Sequence, residues 1–488
     1  MAFIPFDIFS FQNMSNENTI IMNTHSNESE LSRRQFIKTT TRAAAGLSLA
    51  GGLAIGQSAN AVGNDTIKLA LVGCGGRGTG AASQALTTTG SVKLVAMGDT
   101  FETRLQSSLN VLHEKHPDRV NPEKVQKFVG FDAYKKAIAE ADIVILATSP
   151  GFRPFHFEEA VKQGKHVFME KPMGSDAPGV RRVLAANIEA KKKNLKVGVG
   201  FQRHHQANYL EAYKRVQEGA VGDILAMRVY WRGGSRGGEV HRHDETELQY
   251  QIRNWYFFTY LSGDHIVEQH CHNIDVGNWF KGTHPIRANG VGGRQTRTTN
   301  ICGQIFDHHY VEFEYADGCR MFSQCSQFPA KWGQVSEHLL GSKGTADFHD
   351  KKGFTIKGHI PSSARGLAHY SGAELLTHPR IPSAEPKNIW QFTGKVKDPY
   401  QVEHDDLFAA IRNDTPYNEA DYGAYSTMTA IMGRMATYSG GMVEWDDAFH
   451  CNTTLIPTAD FNWDDVPPVV PGKDGNYPTF HPGKTEAC

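Results

Sequence analysis

Between residues 67 and 203 the chain alternates short, almost uniformly apolar runs with stretches of helical periodicity. The apolar runs fall at residues 67–72, 92–97, 142–147, 166–169 and 195–203, with a further short strand read at 125–129 and helical stretches at 79–87, 134–140, 156–163 and 176–193 between them. Runs without a polar face predict strands buried on both sides, and alternation at this spacing predicts a doubly wound parallel sheet. Ser175 or Asp176 is the expected cap of the long helix that follows. From Val221 onward the pattern changes to alternating strands, at residues 225–231, 310–315 and 319–326, with turns such as Ala316-Asp317-Gly318. This predicts an antiparallel sheet. Residues 400–441 read as two helices, with apolar spacing at Leu407, Ile411, Met428, Ile431 and Met435, the methionines being core residues. The segment 353–397 is a long Gly/Pro/Ser-rich excursion, expected to fold around a pocket or a neighbouring subunit.

The first strand feeds Gly73-Cys74-Gly75-Gly76-Arg77-Gly78, a match to G-x-G-x-x-G that opens a helix. Glycines there allow a tight turn and bring backbone N–H groups close to a pyrophosphate at the helix N-terminus. The second strand ends at Asp99, where the ribose hydroxyls of a dinucleotide would be held; a carboxylate favours NAD, while Arg77 and Arg104 leave NADP open. The fifth run closes on Glu170-Lys171-Pro172, at the carboxyl edge where ligands bind in open α/β sheets. Burial and nearby positive charge are expected to lower the Lys171 pKa and suit it to proton transfer.

Three features set the context. Ser32-Arg33-Arg34-Gln35-Phe36-Ile37-Lys38, a small-residue apolar run and Ala59-Asn60-Ala61 have the order of a twin-arginine export signal, so residues 1–61 are expected to be leader and the mature protein periplasmic. The seven cysteines are scattered without a CxxC pair, which argues against a disulfide framework and a structural zinc site. A formal net charge of −1 gives no reason to expect a nucleic-acid or membrane partner.

These residues resemble the Gfo/Idh/MocA oxidoreductase superfamily (glucose–fructose oxidoreductase, inositol dehydrogenase and relatives). The resemblance runs through residues 73–78, Asp99, Thr148-Ser149-Pro150, Glu170-Lys171-Pro172, Gly200-Phe201-Gln202-Arg203, the Gly341-Ser342-Lys343-Gly344-Thr345 hairpin, Gly433-Arg434 and Val443-Glu444-Trp445. It implies an NAD(P)-binding Rossmann domain over residues 62–200 and an α/β domain over 201–450 with a large open, mostly antiparallel sheet used in oligomerisation. Residues 451–488 would be an extended tail. The implied cofactor set is Gly73, Gly75, Gly76, Arg77, Gly78, Asp99, Thr148, Ser149, Pro150, His156, Glu170, Lys171 and Gln202.

In the family an Asp and a His four residues apart accompany the lysine in proton transfer. Here Asn273-Ile274-Asp275 maps His272 to the histidine and Glu268 to the acid, a departure in acid length, with His270 as an extra candidate. Read as one helix, Glu268, His272 and Asp275 share a face. Lys171, Arg203, Arg253, Trp255 and His272 are the expected substrate contacts. His241, His243, His308 and His309 form no recognisable ligand spacing, and no metal is expected. The implied activity is a periplasmic oxidoreductase acting on a sugar, glycoside or cyclitol hydroxyl with tightly held NAD, as a homodimer or homotetramer. The alternatives are an NAD-dependent glycosidase working through a transient 3-keto sugar, and a sugar-binding protein that merely retains NAD.

Overall fold

The structure, a computed structural model, describes residues 66–349, 351–359 and 386–488; the export signal and the middle of the 353–397 excursion lie outside them. Six parallel strands form the first sheet: β1 (Ile67–Val72), β2 (Val92–Asp99), β3 (Gln126–Val129), β4 (Ile143–Leu146), β5 (His166–Met169) and β6 (Val197–Val199). Their order, β3-β2-β1-β4-β5-β6, is that of two βαβαβ halves meeting between β1 and β4, so the crevice at the strands' carboxyl ends lies beside the glycine loop. Strand β4 is buried at all four positions, as a central parallel strand requires. The helices of this unit are α1 (Gly76–Thr87), α2 (Glu102–Lys115), α3 (Ala133–Ala139), α4 (Arg153–Lys162) and α5 (Ala177–Lys192). Asp176 caps α5 by accepting the Gly179 N–H at 2.8 Å.

The second sheet has nine strands in the order β14-β13-β12-β11-β7-β10-β9-β8-β15. They are β7 (Ile224–Gly233), β8 (Arg287–Gly293), β9 (His308–Glu314), β10 (Arg320–Gln327), β11 (Gln334–Gly341), β12 (Gly344–His349), β13 (Gly353–Gly358), β14 (Asn388–Gln391) and β15 (Val443–Glu444). Every pairing is antiparallel except β7 with β10. The excursion after residue 352 thus contributes two edge strands rather than only loop. Preceding and covering this sheet come α6 (Ala207–Gln217), α7 (Glu247–Arg253), α8 (Thr259–Ser262), α9 (His265–Glu268) and α10 (Cys271–Lys281). Helix α11 (Pro399–Arg412) packs on α1, and α12 (Ala420–Ser439) packs on β8, β9, α5 and α10. Helix α13 (Trp445–His450) leads into a segment without helix or strand.

The scattered cysteines were expected to stay unpaired, yet Cys451 and Cys488 form a disulfide across 37 residues. Sequence spacing misses it because the chain returns to its starting point only through tertiary contacts. The other five cysteines are free.

Candidate active site

The glycine loop is built as its sequence demands. Gly73 has φ +93°, and a Cβ there would lie 2.5 Å from the Thr148 nitrogen; a Cβ on Gly78 would lie 1.9 Å from the Gly73 carbonyl oxygen. Both positions therefore exclude any side chain, which keeps the turn tight and the first N–H groups of α1 uncovered. Asp99 accepts the N–H groups of Cys74 at 2.7 Å and Phe101 at 2.9 Å, so this carboxylate also fastens the loop to β2. Burial raises its pKa, and those two hydrogen bonds only partly offset the rise. A cleft of about 780 Å³ runs from Cys74, Gly75 and Gly76 past Thr103 and Arg104 to Arg253–Phe257 on the second domain. Glycine cradle, acidic strand end and a cleft of this size fit a dinucleotide.

The two arginines that left NADP open are engaged inside the protein. Arg77 Nε lies 2.8 Å from Glu170 Oε1, its guanidinium stands 4.7 Å from the Tyr400 ring, and it donates to Gln84. Arg104 donates to the Arg253 carbonyl at 3.2 Å. His156 meets the Thr148 hydroxyl at 3.1 Å and stacks on Tyr134; burial lowers its pKa to about 3, so the ring is neutral. Ser149 and Pro150 begin a short 3₁₀ turn beside it, and Gln202 begins another, with its Oε1 buried and unpartnered.

At the end of β5, across a cis Lys171-Pro172 peptide, the Lys171 amine donates to the Glu268 carbonyl at 2.6 Å and lies 3.4 Å from that residue's Oε1. The expectation of a lowered lysine pKa is corrected here. Burial alone would lower it, but Glu268, Cys271 and Glu170 outweigh burial and hold Lys171 above its ordinary value. Lys171 is thus a resident cation and hydrogen-bond donor. His272 is buried, its Nδ1 has no partner, and its ring sits edge-on to Phe201 and beside Trp231. Burial, then the positive charges of Lys171 and Arg203, push its pKa well below the usual histidine range.

The single helix expected to carry Glu268, His272 and Asp275 is two. Helix α9 ends at Glu268 and α10 begins at Cys271. At the break, side chains are drawn to the sheet: Gln269 accepts from Gln327 at 2.8 Å, and His270 meets Ser323 at 2.8 Å. The regular one-face spacing of Glu268 and His272 therefore does not apply, although Glu268 contacts Lys171 and His272 feels its charge. His270, neutral with a pKa lowered to about 3 by burial, bonds to β10 instead of Lys171. Asp275 faces His204 and Ser426.

Two expected substrate contacts are committed within the protein. Arg203 is buried in an ion pair with Glu337, and Arg253 pairs with Glu239 and Glu245 while lining the cleft. Trp255 lines the same cleft. Among the described residues, Asp264, His265 and His309 gather ligand-type atoms. The Asp264 carboxylate, however, already takes the N–H groups of His265 and Phe306, the Tyr438 hydroxyl and the His265 ring, which makes the trio an internal network.

Sequence reading missed the floor supplied by α11. Tyr400 stacks on Arg77, and Glu403, buried with both carboxylate oxygens unpartnered, has its pKa pushed well up by burial and then by Glu170. The apolar spacing at Leu407 and Ile411 marked this helix, but nothing local tied it to a loop more than 300 residues earlier.

Comparison with known proteins follows the same two-part division. A family model described as an oxidoreductase family with an NAD-binding Rossmann fold matches residues 67–201, and one described as the GFO/IDH/MocA C-terminal domain matches residues 209–347. The chain is 26% identical over 300 residues to an inositol 2-dehydrogenase of Ralstonia nicotianae, covering 60% of this chain and 77% of that protein. Among solved structures, an aldose–aldose oxidoreductase of Caulobacter crescentus complexed with glycerol aligns with TM-score 0.57 at 17% identity, covering 78% of this chain and all of that one. A scyllo-inositol dehydrogenase of Lactobacillus casei with bound NAD(H) and scyllo-inositol aligns with TM-score 0.55 at 18% identity, over 78% of this chain and 100% of the other. These structural likenesses establish the fold.

Proposed function

Because the chain belongs to the Gfo/Idh/MocA family of NAD-binding oxidoreductases, we propose that it oxidises a ring hydroxyl of a sugar, glycoside or cyclitol. The observation that carries this reading is the partly buried Lys171–Glu268 pair, set at the edge of the Rossmann sheet and joined electrostatically to a neutral His272. The glycine cradle, Asp99 and the cleft would hold NAD, which when bound supplies the hydride acceptor. Lys171, cationic and aimed by Glu268, donates to the substrate hydroxyl oxygen and stabilises negative charge building there. His272, uncharged near neutral pH, takes the hydroxyl proton. Phe201 and Trp231 flank the imidazole and keep water from its buried side.

The disulfide and the export pattern together support a periplasmic mature protein. Exposed apolar side chains on the nine-stranded sheet, Leu225, Val291, Tyr310 and Leu340, support self-association through that sheet. The relatives' activities on inositols and aldoses support a polyhydroxylated ring as substrate.

The test is a panel of inositols, aldoses and glycosides scored for NADH and keto product, run on the parent and on Lys171→Met. The proposal expects NADH with at least one polyol in the parent, and loss of turnover with NAD still bound in the variant. Unchanged turnover in Lys171→Met would refute it. Release of an aglycone without net NADH would move the assignment to redox-assisted cleavage.

A further inference from the structure

We propose that the C-terminal segment 451–488 is part of the cofactor site: a strap that ties the two walls of the dinucleotide cleft together, with the Cys451–Cys488 disulfide as its clasp. The inference rests on the cleft being the NAD site.

The strap's path argues for this. Leaving Cys451, the chain donates the Leu455 N–H to Asp176 at 2.7 Å, and Phe461 packs 5.7 Å from the Phe131 ring. Trp463 then lies 4.6 Å from Phe131 and 5.3 Å from Phe101, centroid to centroid. Phe101 stands two residues past Asp99, whose carboxylate accepts its N–H, and Thr103 and Arg104 just beyond it line the cleft. That is the first wall.

The same stretch grips the other wall. The Trp463 carbonyl accepts from the Thr246 hydroxyl at 2.9 Å, the Val469 carbonyl accepts from Gln251 at 2.8 Å, and Tyr477 donates to Glu247. Thr246 caps α7, and α7 runs directly into Arg253, Asn254 and Trp255, which face the glycine loop across the cleft. The strap then returns: Phe480 stacks on Tyr438 at 3.9 Å, Gly483 donates to the Ser439 carbonyl at 2.6 Å, and Cys488 closes onto Cys451.

Parting the walls requires Trp463 to leave either Phe101 or Thr246, so the strap resists any widening of the cleft around a bound dinucleotide. Bonded to Cys451, the strap cannot peel back from its Cys488 end, so detachment must start in its middle against anchors on both sides. Cys451 is buried, whereas Cys488 is exposed and open to attack by a thiol. A dithiol reductant would pass two electrons and two protons to the bridge, leaving two cysteine thiols and the reagent's own cyclic disulfide. Because the remaining cysteines are free, this treatment changes one bond among the described residues. The consequence is a cofactor retained by the oxidised protein and exchangeable in the reduced one.

The experiment loads the full chain with NAD and follows exchange against excess isotopically labelled NAD by mass spectrometry. Four samples are compared: the oxidised parent, the dithiol-treated parent, Cys488→Ser, and Trp463→Ala with the bridge intact. Exchange should quicken by about tenfold or more in the last three, while far-ultraviolet circular dichroism stays that of the parent. Cys488→Ser opens the bridge by changing an exposed side chain, so an unchanged circular dichroism spectrum separates faster exchange in it from a folding defect. Equal exchange rates in all four samples, with the opened bridge verified by mass, would overturn the strap while leaving the cofactor assignment standing. An oxidised parent that binds no NAD would overturn both.

Discussion

Glu337 offers a quantitative test of how the site is supported. It lies in β11 with no solvent exposure, and its carboxylate takes the Arg203 guanidinium, the Tyr209 hydroxyl at 2.8 Å and the Asn273 amide. Burial alone would lower the Arg203 pKa, and Glu337 more than restores it, so the guanidinium is firmly cationic. Glu337→Gln keeps the volume and one acceptor but leaves that cation buried without a counter-charge. Removing one partner of a buried pair costs about 3–5 kcal/mol. Removing both charges, in Arg203→Leu/Glu337→Gln, removes the unpaired cation and leaves only a neutral hydrogen-bond mismatch, at about 1–3 kcal/mol. The double variant should therefore be more stable than the single one. Urea unfolding at fixed NAD concentration, read as a shift in midpoint at constant slope, measures both. A single-variant cost below about 1 kcal/mol, the range of exposed pairs, would refute the reasoning. So would a double variant less stable than Glu337→Gln.

Gly78→Ala places a methyl 1.9 Å from the Gly73 oxygen and should weaken NAD binding by about 100-fold or more in equilibrium dialysis. His272→Gln should lower kcat by about 10²–10⁴ with NAD still bound; because the parent imidazole is already neutral, the parent's kcat should be flat across about pH 6–8 in steady-state assays. His205 lies 2.8 Å from Asp406 and 3.0 Å from Glu419; burial would lower its pKa, but these hydrogen bonds raise it to about 9. A raised folded-state pKa adds stability that is complete below the unfolded value near 6.5 and disappears as pH climbs through about 9. With solvent weakening the half-exposed Asp406 side, about 2–3 kcal/mol should be lost over that window, and urea melts of His205→Gln should lack the loss.

What the sequence made legible is what repeats locally. Apolar runs placed β1, β2, β4, β5 and β6, and glycines at 73 and 78 announced a turn that no side chain can enter. The lysine at the end of β5 was visible, but its charge state was not. A buried lysine suggested a lowered pKa until Glu268, ninety-seven residues away, supplied both a carbonyl and a carboxylate. The helix break at Gln269 was hidden for the same reason, since it depends on Gln327 and Ser323 of β10. Arg203 and Arg253 looked like free substrate hooks because their acidic partners lie on other elements or in a loop of no regular period.

Helix α11 carries a consequence for how the chain reaches its native state. Leu407 and Phe408 share one buried core with Leu69, Leu71, Ile143 and Phe168, and the Val197 N–H donates to the Tyr417 carbonyl. The nucleotide-binding unit is thus finished by residues from the last fifth of the polypeptide. On the ribosome, the first 200 residues would emerge with an apolar flank uncovered and would stay incomplete until α11 arrived. Such non-local closure slows folding and lengthens the time that flank spends exposed. A fragment ending near residue 203 should accordingly aggregate, whereas the same fragment supplied with residues 399–418 as a separate peptide should become soluble.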